Sequence, residues 1–491
     1  MRTTRAASTP SRWHVPLLWL GAGLCTLLVA WLVIRQPTLG SLLVVLVISI
    51  LLGIAVFFGW DGILALKRVL VALLGAAILF PYIRLPAGIP DVRPELIIIL
   101  TAWGLLLLGY LATGHPIRLR RCPAYKWFGL VGFSIVLSMA HASFLSGQPL
   151  IGRDFWELAK VFFYFLLFAF VASLSISPTS LKRYYKFALI VLILSALFGF
   201  LQYIDFGGIN RVVSPYYAPT QMRGLLVHGR ITGTTGNPNE FGALMVLAAS
   251  LALSGGLFFQ ERKLRMLCWG TLPVFGLALV LTLSRSALVA LILAGVTVLF
   301  LFLRHRSINR RLRMNRRLRR VMALVLFGCV VGLAVLPLVP EKAFFRFSQL
   351  KAFTETTSWQ GRVENWETHV ALWQESPWLG WGPAKATMGT IVDNEWLLLL
   401  RRYGVIGLTV FLGLFGSSFL GLSRIRRVNS EPSLVALSVA LQGTLVGYAV
   451  YMMVAAVYHC LQPMAILLLF LGLAYSQWQP KRTRLQEASK S

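Results

Sequence analysis

Apolar residues in this chain come in long unbroken runs rather than in alternation. Fourteen runs are predicted to be membrane spans: residues 15–34, 39–58, 66–83, 95–112, 127–146, 155–176, 187–204, 238–259, 266–283, 286–303, 321–340, 403–422, 433–454 and 462–477. Each is close to the roughly 20 apolar residues that carry a helix across a hydrocarbon core. The third run is the least clear, because Lys67 and Arg68 stand at its start. The first follows a basic segment but is long for a signal-peptide core and has no clear small-residue cleavage site, so it reads as a retained span. A lipid-embedded backbone must satisfy its own hydrogen bonds, which long apolar runs do as helices. The expected fold class is all-α: a polytopic transmembrane bundle of about fourteen helices forming one integral membrane domain over residues 1–491.

Lysine and arginine between the runs set the orientation, since they accumulate in cytoplasmic loops. With Arg2, Arg5 and Arg12 placed inside, the basic clusters around Lys67, Arg118–Arg121, Lys182–Lys186, Arg262–Arg265, Arg304–Arg320 and Arg424–Arg427 all fall inside as well, as does the C-terminal tail. The reversed topology strands the strongly basic loop 304–320 outside. Both termini are therefore expected in the cytoplasm. The 304–320 loop reads as solvated or bound to lipid headgroups.

Two connections are long, and both fall outside: 205–237 and 341–395. Long structured loops in compact domains are usually functional. Within the second, Val363, Trp366, Val370 and Trp373 recur at helical spacing and Pro377 ends the pattern. An amphipathic helix lying over the outer mouth of the bundle is expected, and a plain interfacial helix fits the same pattern.

The candidate chemistry lies on these outer loops. Arg211, Arg223 and Arg230 fall in the first, Arg285 in the tight turn Ser284–Arg285–Ser286, and Arg346, Arg362, Arg401 and Arg402 in or beside the second. Outside loops are normally poor in such charge, so a ligand reason is worth seeking. The planar guanidinium fork matches phosphate oxygens, and a group of such side chains points to a phosphate or diphosphate. For any single arginine, snorkelling to headgroups competes with that reading. Asn237 and Pro238 are a good cap and first residue for the span that follows, whose positive end then faces outward where an anion can bind. Asn239 stands beside them, and the Thr/Gly run before them permits close backbone approach. Asp393–Asn394 begins another helix. There Asp393 is either a cap or a carboxylate that takes a proton from a hydroxyl. His228, His369 and His459 fall on the same side as rival bases, although loop histidines are more often structural.

Composition then excludes several classes. The 491 residues are 57% hydrophobic and only 13% charged, far from a soluble domain. The net charge of +30 sits in short clusters between spans, which suits anionic lipid and argues against nucleic acid. Cys25, Cys122, Cys268, Cys329 and Cys460 form no CxxC pair, so neither a disulfide framework nor a zinc site is expected. No metal site and no cofactor are expected.

In their order, these outer segments resemble the O-antigen ligase and polysaccharide polymerase superfamily of bacterial membrane proteins. The likeness covers roughly residues 150–425. It rests on Arg230 with the following Gly–Asn–Pro–Asn, on Ser284–Arg285–Ser286, and on Arg362 and Trp366 leading to Pro377 and Gly380–Trp–Gly382. Its last part is the pattern His–Asn/Ser/Gln, nine residues, Gly, two residues, Gly. Asn394, Gly404 and Gly407 match it, while Asp393 stands at the histidine position.

The resemblance implies a GT-C-like helical bundle with a long extracytoplasmic helical loop, in the bacterial cytoplasmic (inner) membrane. It implies a metal-independent transferase whose donor is a glycan on undecaprenyl diphosphate. Arg230 and Arg285 would hold the diphosphate and Asp393 would be the base. Arg223, Asn237, Asn239, Arg362 and Asn394 would contact substrate. Partners would be the lipid-linked glycan, membrane lipid, a flippase and a chain-length regulator. Aspartate in place of histidine favours the polymerase branch over a ligase that moves finished glycan onto a lipid or cell-wall acceptor. A transporter or flippase is the reading of another class. It is weakened by the scarcity of ionisable residues at span centres, Lys160 being an exception near one outer end.

Overall fold

The computed structural model describes residues 62–80, 93–113, 119–120, 122–214, 217, 219–308, 357–388 and 392–478. The predicted spans 15–34, 39–58 and 321–340 lie outside the described residues, as do 309–320 of the basic loop and Arg346. The described residues form α1 (Gly62–Leu79), α2 (Pro94–Thr113), α3 (Ala124–Ala140), α4 (Gly152–Ser173), α5 (Pro178–Tyr203), α6 (Ile209–Val213), α7 (Pro219–His228), α8 (Pro238–Phe258), α9 (Arg262–Leu281), α10 (Arg285–Ile308), α11 (Thr357–Glu375), α12 (Glu395–Val428), α13 (Pro432–Tyr451) and α14 (Leu461–Tyr475). A π-helical turn, His141–Leu145, extends α3. The protein is all-α in these residues, and eight of its helices are long and apolar enough to cross a membrane. Each of the other eleven predicted spans coincides with one of these helices. Among the described α-helices only α6, α7 and α11, all in the two long outer loops, coincide with no predicted span.

The centre of the bundle is α8, packed against α9, α10 and α13. It is buried along almost its whole length because its side chains are small enough for neighbours to approach on every face. Gly443 and Gly447 on α13 do the same toward α10. A Cβ at either would lie 2.8 Å from the carbonyl oxygens of Ala294 and Ala290 respectively. Around this centre, α14 packs on α4 and α12 packs on α3 and α13.

One end of the bundle gathers the N-termini of α4, α8, α10, α12 and α14 and the C-termini of α3, α5, α9 and α13. Backbone bonds cross between them there, from Ile231 to Leu281 and from Glu395 to Met452. Among the described residues, Glu261 and Glu431 are the only acids at the other end, beside Lys182, Arg183, Arg262, Lys263, Arg265, Arg304, Arg424, Arg426 and Arg427. Every other described acid lies at the first end.

The helix α12 begins at Glu395, the last residue of the predicted outer loop and eight residues before the predicted span. It is not continuous. Gly404 sits at φ 62°, ψ −168°, a region open essentially to glycine alone. The freed backbone groups are taken by Pro377–Gly382. Trp381 N–H donates to the Arg401 carbonyl at 3.0 Å and Gly382 N–H to the Arg402 carbonyl at 2.8 Å. In return, Val405 N–H donates to Pro377 and Ile406 N–H to Trp378. The Ser138 hydroxyl, from α3, donates to the Arg402 carbonyl at 2.6 Å. Thus the two glycine motifs of the sequence are two sides of one wedge. A Cβ at Gly404 would meet the Trp378 carbonyl oxygen at 2.2 Å, and one at Gly380 would meet the Arg402 backbone at 2.5 Å.

A charged end of the helical bundle as candidate functional site

Three groups of polar residues lie at the acid-bearing end. The first surrounds the start of α8. Asn237 caps the helix, its side-chain oxygen accepting from Asn239 N–H at 2.9 Å, with Pro238 next. Arg230 donates through Nε to the Thr282 carbonyl at 3.0 Å and through Nη2 to Asn239 Oδ1 at 3.2 Å. Three residues past Thr282, Arg285 opens α10. The Tyr451 hydroxyl donates to the Asn239 carbonyl at 2.9 Å and lies 3.0 Å from the Ser284 hydroxyl. The Arg230 and Ser284–Arg285–Ser286 segments, far apart in sequence, are therefore joined through Thr282, Asn239 and Tyr451. The Thr/Gly run before α8 approaches the protein's own rings. A Cβ at Gly233 would lie 2.2 Å from Phe241, and one at Gly236 2.9 Å from Tyr217. Its hydroxyls are satisfied internally, Thr234 on the Ile78 carbonyl and Thr235 on the Thr232 carbonyl.

The second group begins α12. The cap there is Asn394, whose side chain accepts from Leu397 N–H at 3.1 Å. Asp393 is left outside the cap, with its side chain 59% exposed and paired with Arg362 of α11 at 3.5 Å. Glu395 N–H donates to the Met452 carbonyl at 2.8 Å, one residue from Tyr451, so this group adjoins the first. Helix α11 lies over it, Trp366 and Val370 packing on Val392, Leu397 and Leu398. Arg223, on α7, is exposed and shares no hydrogen bond or ion pair with either group.

The third group is buried; sequence analysis named Lys160, His369, Arg401, Arg402 and His459 one by one but not Glu157, which joins most of them. Glu157 on α4 is its hub. Its Oε1 meets Lys385 Nζ at 2.7 Å and Arg402 Nη1 at 3.4 Å. Its Oε2 meets Lys160 Nζ at 2.9 Å and His459 Nε2 at 3.3 Å. The His459 Nδ1 contacts Glu395, whose other oxygen accepts from the backbone N–H groups of Tyr458 and His459. Arg402 Nη1 donates to His459 Nε2 at 2.6 Å, which requires the proton of a neutral imidazole to be on Nδ1, facing Glu395. Arg401 treats His369 alike. Its Nη1 donates to His369 Nε2 and to the Met388 carbonyl, both at 3.1 Å, while His369 Nδ1 donates to the Asn365 carbonyl. Asp154 holds the backbone beside them, accepting from Ile151 and Lys385 N–H. Burial pulls the Lys385 amine below the usual lysine range, with Glu157 opposing the shift. Burial beside Glu240 and Glu395 pushes the Cys460 thiol well above its usual range.

A signal for this group existed: ionisable residues inside spans are functional candidates by default. Lys160 met that criterion. Arg401 and Arg402 escaped it because the span was expected to start at residue 403.

These features define a multi-pass membrane protein with its polar chemistry concentrated at one end of a helical bundle. Residues 270–412 match the family model described as O-antigen ligase. The match covers under a third of the chain and shows that this stretch is similar to that family. It takes in Arg285, the α11 helix, the glycine wedge and the start of α12, while Arg230 and the α8 cap lie upstream. No curated protein matches the chain.

Proposed function

We propose that the protein is a metal-independent polymerase that joins undecaprenyl-diphosphate-linked oligosaccharide repeat units into a cell-surface polysaccharide. The reaction takes place on the outer face of the cytoplasmic membrane, and both termini face the cytoplasm. The orientation is supported by the basic, acid-poor character of the end away from the site. The observation that carries the reading is the union of Arg230, Asn239, Ser284 and Tyr451 at the start of α8, next to Asp393 through Met452 and Glu395.

In this reading Asp393 takes the proton of an acceptor sugar hydroxyl. The hydroxyl oxygen forms a bond to the anomeric carbon of the donor as the bond from that carbon to the diphosphate oxygen breaks. Lipid diphosphate leaves with the electron pair. Arg230, Arg285 and the positive end of α8 stabilise the charge that develops on it. Arg362 pairs with Asp393 and orients its carboxyl group. Asn237 and Asn394 fix the two helix starts, and Asn239 orients Arg230. Arg223 meets substrate from the surface of α7. A flippase delivers the donor and a chain-length regulator sets the product size.

Arg230→Ala, Arg285→Ala and Asp393→Ala are expected to yield folded protein and no long-chain polymer on gels of lipid-linked glycan from a deletion strain. Full-length polymer in all three variants overturns the assignment. The matched family's description as a ligase favours a second reading, transfer of glycan to a lipid or cell-wall acceptor. Under that reading the deletion strain accumulates finished but unattached polymer.

A further inference from the structure

Arg401 is among the largest fully buried side chains, with no exposed surface, and among the described residues no carboxylate lies within ion-pair distance of it. Its Nη1 is held by His369 and the Met388 carbonyl. Its Nε and Nη2 are buried and have no hydrogen-bond partner. These two N–H groups are the side-on fork of a guanidinium, parallel donors whose spacing fits both oxygens of a carboxylate or phosphate. A buried cation is costly to hold unless it is paired. The acids nearby are committed elsewhere: Glu157 to Lys160, Lys385 and Arg402, Glu395 to His459 and two backbone N–H groups, and Asp154 to two more. The nearest cation, Arg402, adds to the local positive charge. So the guanidinium is positioned by one nitrogen while its strongest binding edge is left open.

We infer that Arg401 is half of a binding site for an oxyanion carried by the glycan, so the repeat unit handled here is an acidic one bearing a carboxylate or phosphate. The inference rests on the glycan reading above and adds a substrate class to it. The site is separate from Arg230 and Arg285. His369, itself 2% exposed, covers the guanidinium from α11, so the ligand reaches the fork when α11 shifts outward. The role of α11 is then to close over the acidic sugar.

The test uses the purified full-length chain in neutral detergent, with thermal unfolding read against glucuronate, glucose or inorganic phosphate at one ionic strength. The expected result is a saturable rise in midpoint with glucuronate or phosphate and none with glucose. Arg401→Met removes the unpaired charge at similar length, so it is expected to raise the ligand-free midpoint and abolish the rise with ligand. Arg401→Lys keeps the charge without the fork and is expected to need at least tenfold more ligand. Arg230→Ala is expected to retain the full ligand response, which separates this site from the diphosphate site. A shift that survives in Arg401→Met, or no shift with either anion in the wild type, overturns the inference. If only anionic phosphatidylglycerol vesicles give an Arg401-dependent shift, the oxyanion is a lipid headgroup and the glycan assignment falls. Loss of the polymerase reading alone, with these shifts intact, leaves the acidic-ligand site standing.

Discussion

Asp393 and Asn394 are neighbours with different duties. Asn394 closes the first turn of α12, and such a cap contributes about 0.5–2 kcal/mol. Asp393 has only an exposed pairing with Arg362, and such pairs contribute about 0–1 kcal/mol. Asp393→Asn should therefore leave thermal stability within roughly 0.5 kcal/mol of wild type while removing polymer synthesis. Glu157→Gln should do the reverse in kind. It strips the carboxylate from between Lys160, Lys385 and Arg402, and breaking a buried pair costs about 3–5 kcal/mol. Denaturation of the purified variants checks both, and an Asp393→Asn that unfolds early makes that residue structural. At this scale the sequence exposed the outer arginines, the cap pair and several separate members of the buried cluster, but not their assembly around Glu157. A one-dimensional reading sees that Glu157, Arg402 and His459 are ionisable. It does not see that two helices and a turn from three parts of the chain bring them within hydrogen-bond reach.

Elements were more legible than their interruptions. Apolar runs have a length scale set by the bilayer, so eleven predicted spans reappear as helices, with most ends displaced by a few residues and the starts of α5 and α12 by nine and eight. The predicted amphipathic helix before Pro377 is present as α11. The break in α12 was not visible, because a glycine inside a helical pattern is compatible with an ordinary helix. What makes Gly404 a break is the far-off Pro377–Gly382 segment that inserts there. Gly404→Ala should lower stability by at least about 1–3 kcal/mol from backbone strain alone. The clash with the Trp378 carbonyl is with backbone and has no rotamer to relieve it. A Gly416→Ala control, where a Cβ meets nothing within 4 Å, should be close to neutral. Equal midpoints for the two variants in a melting experiment refute the wedge.

At the scale of the whole molecule, charge among the described residues divides by end rather than by face. Cations at the end holding Glu261 and Glu431 outnumber the acids there, whereas at the opposite end acids and arginines interlock. If that polarity sets the orientation, a cysteine replacing exposed Arg153 should react with a membrane-impermeant maleimide in intact spheroplasts. One replacing exposed Arg183 should react only after lysis. The opposite labelling pattern inverts the topology and removes the proposed chemistry from the outer face.

The wedge at Gly404 also divides the labour along one helix. Past it, residues 405–428 are anchored like any span. Before it, Glu395–Tyr403 hangs by backbone bonds from the loop that leads out of α11. The same loop also takes the N–H groups of Val405 and Ile406, so both sides of the break are fastened to the segment that leads out of α11. The bend at the mouth of the bundle turns on a single residue without a side chain.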